Sequence, residues 1–325
     1  MRKILFGIIL FLIINQVSAY EYSRKTYTTS LGDYQIRLFK LDLAGDDRLV
    51  VGVSDKGESL ESLVKRYNGK AGLNGTYFCP EYYPECKGKN FSNADRISYG
   101  EDFSRWTDTG ERYVFAIDKD YMSFFFNTSN YNVDMRNDIY MGIGNHPLIL
   151  LEGQNKLEHY YDVGLIDKKM PSTGAKTFIC TVKDTKKVYM GIVYSARMDD
   201  LPTILSDIGC YNALNLDAGR STALYNNGEY YVGPGREIMD ALIITDKAND
   251  EKNKKIVDMA RKSKLELMNK INALTQDKAQ RQNIIQKLVD KIDLLSDKTN
   301  GVKKTLLILV KNNLMKEIGE NLAFR

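Results

Sequence analysis

The hydrophobic pattern of this chain changes period once, just after Asp246, and that change limits what the chain can fold into. Before it, short runs rich in β-branched and aromatic residues recur at 34–43, 49–53, 113–117, 122–126, 147–151, 177–182, 188–193 and 241–245, each about as long as a strand. Polar connectors as short as Asp118-Lys119-Asp120 favour hairpins between them. Helical spacing in this part is mainly at 59–67 and at 199–208, where Leu201, Ile204, Leu205 and Ile208 share a face. From Asn249 onward apolar residues recur every three or four positions, through Ile256, Leu267, Ile271 and Leu274 to Ile284, Leu288, Ile292 and Leu295. Thr299-Asn300-Gly301 interrupts that pattern before a last apolar helix over 302–322. The pattern predicts an α+β fold: a β-rich mixed-sheet domain over 20–246, then a small C-terminal helical hairpin or bundle over 247–325.

Charge follows the same boundary. Residues 247–325 hold 18 Lys plus Arg against 10 Asp plus Glu, a net of +8, whereas residues 20–246 carry −6 beneath the overall +4. A basic tail suits contact with an anionic envelope polymer, a lipid surface or a partner, although charged helical faces are most often simply solvated. It has no interleaved aromatic platform, which argues against nucleic acid. Two histidines, His146 and His159, are too few for a zinc site built on several of them, and a structural or surface role fits both. The sequence requires no cofactor; Asp217 and nearby oxygens could hold a divalent metal, but no ligand spacing demands one.

At the N-terminus Arg2 and Lys3 precede an apolar run over 4–14, and Val17-Ser18-Ala19 offers small residues ahead of Tyr20. A run of about 11 residues falls short of the roughly 20 that a spanning helix needs, so residues 1–19 read as a cleaved secretory signal peptide. The chain is then expected outside the cell or in its envelope, where Cys79, Cys86, Cys180 and Cys210 can form disulfides. Cys79 and Cys86 would close a short loop, but four cysteines permit three pairings and the sequence does not choose.

Four segments gather glycine, hydroxyl residues and charge near strand ends, where polar groups converge on ligands. They are Asn74-Gly75-Thr76-Tyr77-Phe78; Pro171-Ser172-Thr173-Gly174-Ala175-Lys176; Asn215-Leu216-Asp217-Ala218-Gly219-Arg220-Ser221-Thr222; and Gly235-Arg236-Glu237. In the third, a hydrophobic strand ends at Asp217 and Ala218-Gly219 allows a tight turn, setting a carboxylate at the lip of an anion cradle with Arg220, Ser221 and Thr222. Arg220 and Arg236 can grip a phosphate bidentately. Asp217 is the acid/base candidate, because apolar surroundings raise a carboxyl pKa, although a strand-end aspartate is more often a turn former. Asn74-Gly75 is by itself a good turn, and Asn74-Gly75-Thr76 also reads as a glycosylation sequon.

Taken in order, these segments, with Arg236 continuing to Asp240-Ala241-Leu242-Ile243, resemble the phosphodiester glycosidase family, whose uncovering enzyme removes N-acetylglucosamine from a sugar-phosphate diester. The resemblance covers most of residues 30–246; 141–151 is similar to the family's glycine-rich strand pair, and 225–228 to the hairpin after its Asp-Gly-Gly-Gly-Ser motif. It implies an exported hydrolase acting on a sugar-phosphate diester or anionic envelope glycan. In that role Asp217 is acid, base or transition-state stabiliser, and Arg220 and Arg236 neutralise the phosphate. Asn74, Thr173, Ser221 and Thr222 orient its oxygens, with Gly75 and Gly219 in the turns. Glycoside cleavage generally uses a second carboxylate, for which Asp95 and Asp102 are the residues considered. The departures are specific. Ser172 stands where the family has arginine, Lys176 where it has glycine, and Ala218 and Arg220 replace two glycines. Arg220, aided by Lys176, reads as a relocated arginine. The opposing reading is a catalytically silent glycan-binding or scaffolding module, attached through its helical tail.

Overall fold

The computed structural model describes residues 20–296 except 93, 104–111, 131–137, 167, 169 and 275–276, together with single positions between 298 and 315. The expected signal peptide at 1–19 and the expected helix break at 299–301 lie outside the described residues.

Three sheets carry the domain. The first runs β1 (Tyr20–Thr29), β2 (Gly32–Asp42), β13 (Lys187–Ala196), β12 (Gly174–Thr181), β14 (Asn212–Asn215), β10 (Leu148–Leu151) and β11 (Gln154–Asn155). The second runs β16 (Glu229–Val232), β15 (Leu224–Asn226), β4 (Gly69–Asn74), β17 (Ile238–Asp246) and β3 (Asp47–Glu58). The third runs β6 (Glu101–Asp102), β5 (Arg96–Ser98), β9 (Ile139–Asn145), β7 (Tyr113–Asp118) and β8 (Ser123–Asn127). The α+β class is as the sequence predicts, but every pairing among the described strands is antiparallel, which corrects the expected mixed sheet. Parallel neighbours need long crossovers, usually helical. The helices inside the domain, α1 (Leu60–Arg66), α2 (Leu157–Asp162) and α3 (Leu201–Asp207), are one or two turns each.

One core lies among the three sheets and includes Phe39, Val51, Leu73, Phe115, Ile143, Ile179 and Leu242. A second lies on the other face of the first sheet, where Ile36, Leu38 and Phe178 meet Leu201, Ile204 and Leu205 of α3. Helix α1 begins at an N-cap, Ser59, whose hydroxyl accepts the Ser62 N–H at 3.2 Å, and its end is tied to β3 by the buried Arg66–Glu58 pair at 2.8 Å. Two disulfides form, Cys79–Cys86 and Cys180–Cys210. The second staples β12 to the approach of β14 within the second core, and closing a loop of 30 residues contributes roughly 3–4 kcal/mol.

The tail starts with α4 (Lys247–Leu274) and α5 (Lys278–Ser296), and α4 is docked on the domain. Val257 and Ala260 enter the main core. Asn253 Nδ2 donates to the Tyr67 carbonyl at 2.8 Å and the Tyr99 hydroxyl at 3.0 Å, and the Tyr140 hydroxyl donates to buried Asp250. The outward residues of α4 set Lys247, Lys252, Lys254, Lys255, Arg261, Lys262 and Lys270 among Glu251, Asp258 and Glu266, so basic side chains prevail on its exposed surface with acidic ones interspersed. Among the described residues no helix is long and apolar enough to cross a membrane.

Candidate active site

The site grows from the end of β4. Asn74, fully buried, donates from Nδ2 to the Asp217 carbonyl at 2.6 Å and accepts the Ala223 N–H on Oδ1 at 3.1 Å. Its amide thus holds both ends of the 217–223 loop, a scaffolding role in place of the substrate-orienting one expected, and its burial shuts the sequon nitrogen away from solvent. Gly75 follows, with its N–H on the Asp240 carbonyl at 3.1 Å and its own carbonyl accepting the Asp217 N–H at 2.9 Å. A Cβ there would sit 2.0 Å from Asp240 Oδ1 and 2.9 Å from the Asp240 carbonyl oxygen, so only glycine fits. Thr76 closes the turn by donating its N–H and hydroxyl to the two oxygens of Asp240, at 2.6 and 2.7 Å.

Asp217 projects from just beyond β14. Its Oδ1 accepts the Ala218 N–H at 2.8 Å and its Oδ2 accepts Arg236 Nη2 at 3.1 Å. Arg236 also donates from Nε to Ser221 Oγ at 2.7 Å, and its guanidinium lies 4.4 Å from the centre of the Phe78 ring. Burial pushes the Asp217 carboxyl above the usual carboxylate range, opposed by hydrogen bonds from Ser221, Arg236 and Ala218. The result is a carboxyl with raised proton affinity beside a fixed positive charge. In the turn that follows, only Gly219 takes a positive φ, +63°. Ala218 is extended (φ −134°, ψ −164°), and Arg220 lies outside the left-handed region, so replacing the family's glycines at these two positions does not strain the backbone.

The remaining sequence candidates divide. Ser221 and Thr222 are buried in the loop, and Thr222 Oγ1 has no hydrogen-bond partner among the described residues. Arg220 is exposed on the turn, its guanidinium 6.0 Å from the Tyr82 ring centre. Ser172 and Thr173 are exposed ahead of β12. Lys176 is buried and donates to the carbonyls of Met170 at 2.9 Å and Ser172 at 2.8 Å, which fastens that turn; burial lowers its pKa. It acts there as a brace, where an anion contact was expected. Among the described residues no group of three or more His, Cys, Asp or Glu side chains is placed to hold a metal.

Sequence reasoning gave no role to Tyr77, Tyr82, Asn145 or Asp240. Asn215 Nδ2 donates to the Tyr77 hydroxyl, and Asn145 Nδ2 to the Asn215 carbonyl at 2.9 Å, which fixes the strand end before Asp217. Asp240 carried a readable signal, a charged residue inside the apolar run Ile238–Asp246, where burial demands partners.

Asp95 immediately precedes β5 of the third sheet. It lies against Gly144 and Val114 on the side of the third sheet that carries Ile97, whereas Arg96 points to the opposite side and sits 3.7 Å from Asp240. Burial raises Asp95 to about 7, with Arg112 acting in the other direction. Its folded pKa exceeds the unfolded value, so the folded chain holds the extra proton between about pH 4 and 7, and stability falls as pH rises through that window. Asp95→Asn is expected to be more stable than the parent at pH 8, by an amount on the order of 3 kcal/mol, and nearly equal to it at pH 4. Thermal melts at the two pH values check this; equal midpoints at pH 8 would contradict it.

An antiparallel α+β scaffold that clasps a buried aspartate and a ring-stacked arginine between glycine turns defines a class, a carboxylate-and-arginine site at strand ends. The sequence profile of the phosphodiester glycosidases matches residues 67–245, more than half of the chain, and the chain belongs to that family of glycosidase hydrolases. Among solved structures it is similar to the zebrafish N-acetylglucosamine-1-phosphodiester alpha-N-acetylglucosaminidase catalytic domain, auto-inhibited by its pro-peptide. The TM-score is 0.57 at 17% identity, over 71% of this chain and 85% of that one. It also matches a hypothetical protein from Synechocystis with TM-score 0.49 and 10% identity, over 70% of this chain and 62% of that one. No curated protein sequence matches the chain.

Proposed function

We propose that the chain is an exported hydrolase that cleaves the glycosidic bond of a sugar-phosphate diester in an extracellular or envelope glycan. The observation that carries this reading is the Asp217–Arg236–Ser221 cluster, in which a buried carboxyl with raised proton affinity is held against a guanidinium. Water adds to the anomeric carbon, the bond from that carbon to the phosphate oxygen breaks, and a phosphate monoester leaves. Asp217 moves the proton or stabilises the developing positive charge on the sugar, and Arg236 and Arg220 offset the charge of the departing phosphate. A phosphate monoester is already a good leaving group, so the reaction places less demand on a second acid than ordinary glycosides do. Two disulfides support an oxidising compartment and hence export.

The silent-module reading rested on the lost arginine at 172 and the two lost glycines. The unstrained backbone at Ala218 and Arg220 removes half of its support, and Arg220 keeps a guanidinium at the mouth of the site. The test is turnover of a panel of sugar-1-phosphate diesters by the full chain, with and without chelator. Free sugar is the expected product, and saturable glycan binding without turnover on any diester would replace the hydrolase with the binding module.

A further inference from the structure

Arg236 has its three nitrogens engaged, but by partners of unequal kind. Nε meets Ser221 at 2.7 Å and Nη2 meets Asp217 at 3.1 Å, both of them buried residues of the site. Nη1 donates to the hydroxyl of Tyr82 at 2.5 Å, and Tyr82 is 50% exposed. The Tyr82 ring is also the group that Arg220 faces, at 6.0 Å. One neutral, solvent-accessible side chain therefore stands between the two arginines, where an anion could touch both.

Tyr82 sits at the tip of the loop closed by Cys79–Cys86, whose base is pinned by paired hydrogen bonds between Cys79 and Phe91 at 2.8 and 3.0 Å. Its ring contacts Tyr83 edge-on at 5.0 Å. Swinging the Tyr82 side chain outward would uncover Nη1 of Arg236 at the cost of that one hydrogen bond, with the Arg236 bonds to Ser221 and Asp217 left intact. A phenol oxygen is also a weaker acceptor for a guanidinium than a phosphate oxyanion is.

We propose that Tyr82 is a placeholder for the substrate's phosphate: it occupies the anion subsite between Arg220 and Arg236 and is displaced when a phosphate group enters. This rests on the reading of Arg220 and Arg236 given under the proposed function. The device keeps Arg236 aligned on Asp217 when no substrate is bound, and it disfavours ligands that lack an anion strong enough to displace the hydroxyl. Tyr82 is thus a positioning and selectivity residue, acting through Arg236.

Titration of inorganic phosphate into the full chain by calorimetry tests it, with Tyr82→Phe and Tyr82→Ala alongside the parent. Removing the competing hydroxyl is expected to tighten phosphate binding about tenfold in Tyr82→Phe, and by at least as much in Tyr82→Ala. Unchanged or weaker binding in both variants overturns the proposal, the latter making Tyr82 a ligand of the anion; so does failure of parent and variants alike to bind phosphate. Diester turnover is read separately. Tighter phosphate binding without turnover retains the placeholder and removes the hydrolase, whereas turnover with unchanged phosphate affinity removes the placeholder alone.

Discussion

Asp217→Asn is expected to lower kcat/KM on a cleavable sugar-phosphate diester by about 1,000-fold or more, with the fold intact. Asparagine has nearly the same shape, and its Oδ1 can still accept the Ala218 N–H that Asp217 accepts at 2.8 Å. What it cannot do is gain or lose a proton, or place a negative charge against a positively charged sugar. The raised pKa separates this effect from a loss of stability. Burial makes the ionised carboxyl unfavourable in the folded chain, so the neutral variant should melt no lower than the parent at neutral pH. A variant keeping a tenth of parental turnover would remove Asp217 from the chemistry.

Gly75→Ala is the second large effect, and it falls on stability. The added methyl would meet Asp240 Oδ1 at 2.0 Å and the Asp240 carbonyl oxygen at 2.9 Å, and the carbonyl belongs to β17, which pairs with β4 on one side and β3 on the other. Relief requires the two strands to part, breaking the Thr76–Asp240 bonds at 2.6 and 2.7 Å and the Gly75–Asp217 bond at 2.9 Å. A loss of roughly 3–5 kcal/mol follows, a fall in thermal midpoint of about 6 °C or more for a domain of this size. A Gly75→Ala midpoint within about 1 °C of the parent would mean that the turn is not as tight as its geometry states.

Much of this arrangement was legible in the sequence, for identifiable reasons. Strands β2, β3, β7, β8, β10, β12, β13 and β17 follow apolar runs because one or both of their faces enter a core. Strand β1 gave no such signal: Arg24, Lys25 and Thr26 are exposed on an edge strand that pairs with β2 alone, so most of its side chains meet water. Glycine-rich β4 was masked by its composition and shows as a strand only once β15 and β17 flank it, whereas β9 gave no apolar run and was reached only through the resemblance of 141–151 to a glycine-rich strand pair. Asp217, Ser221 and Arg236 stood out as candidates from residue type and order, and the structure brings the three side chains into contact. Asn74 and Lys176 were given ligand roles because amides and amines can serve either purpose; whether a polar group faces a ligand or its own backbone depends on tertiary placement. Tyr82 could not be found from the sequence at all, since its importance comes from a contact with a residue 154 positions away. The tail was read correctly as helical, but the docking of Asp250 and Asn253 on Tyr140, Tyr67 and Tyr99 depends on tyrosines whose burial no local pattern announces.

Cleavage of a sugar-1-phosphate diester in oxygen-18 water shows which bond breaks. Attack at the anomeric carbon places the heavy oxygen in the released sugar and leaves the phosphate monoester unlabelled, which is the result expected for the full chain and absent in Asp217→Asn. Heavy oxygen in the phosphate would mean that the phosphorus–oxygen bond is cut, and would contradict a glycosidase built on Asp217.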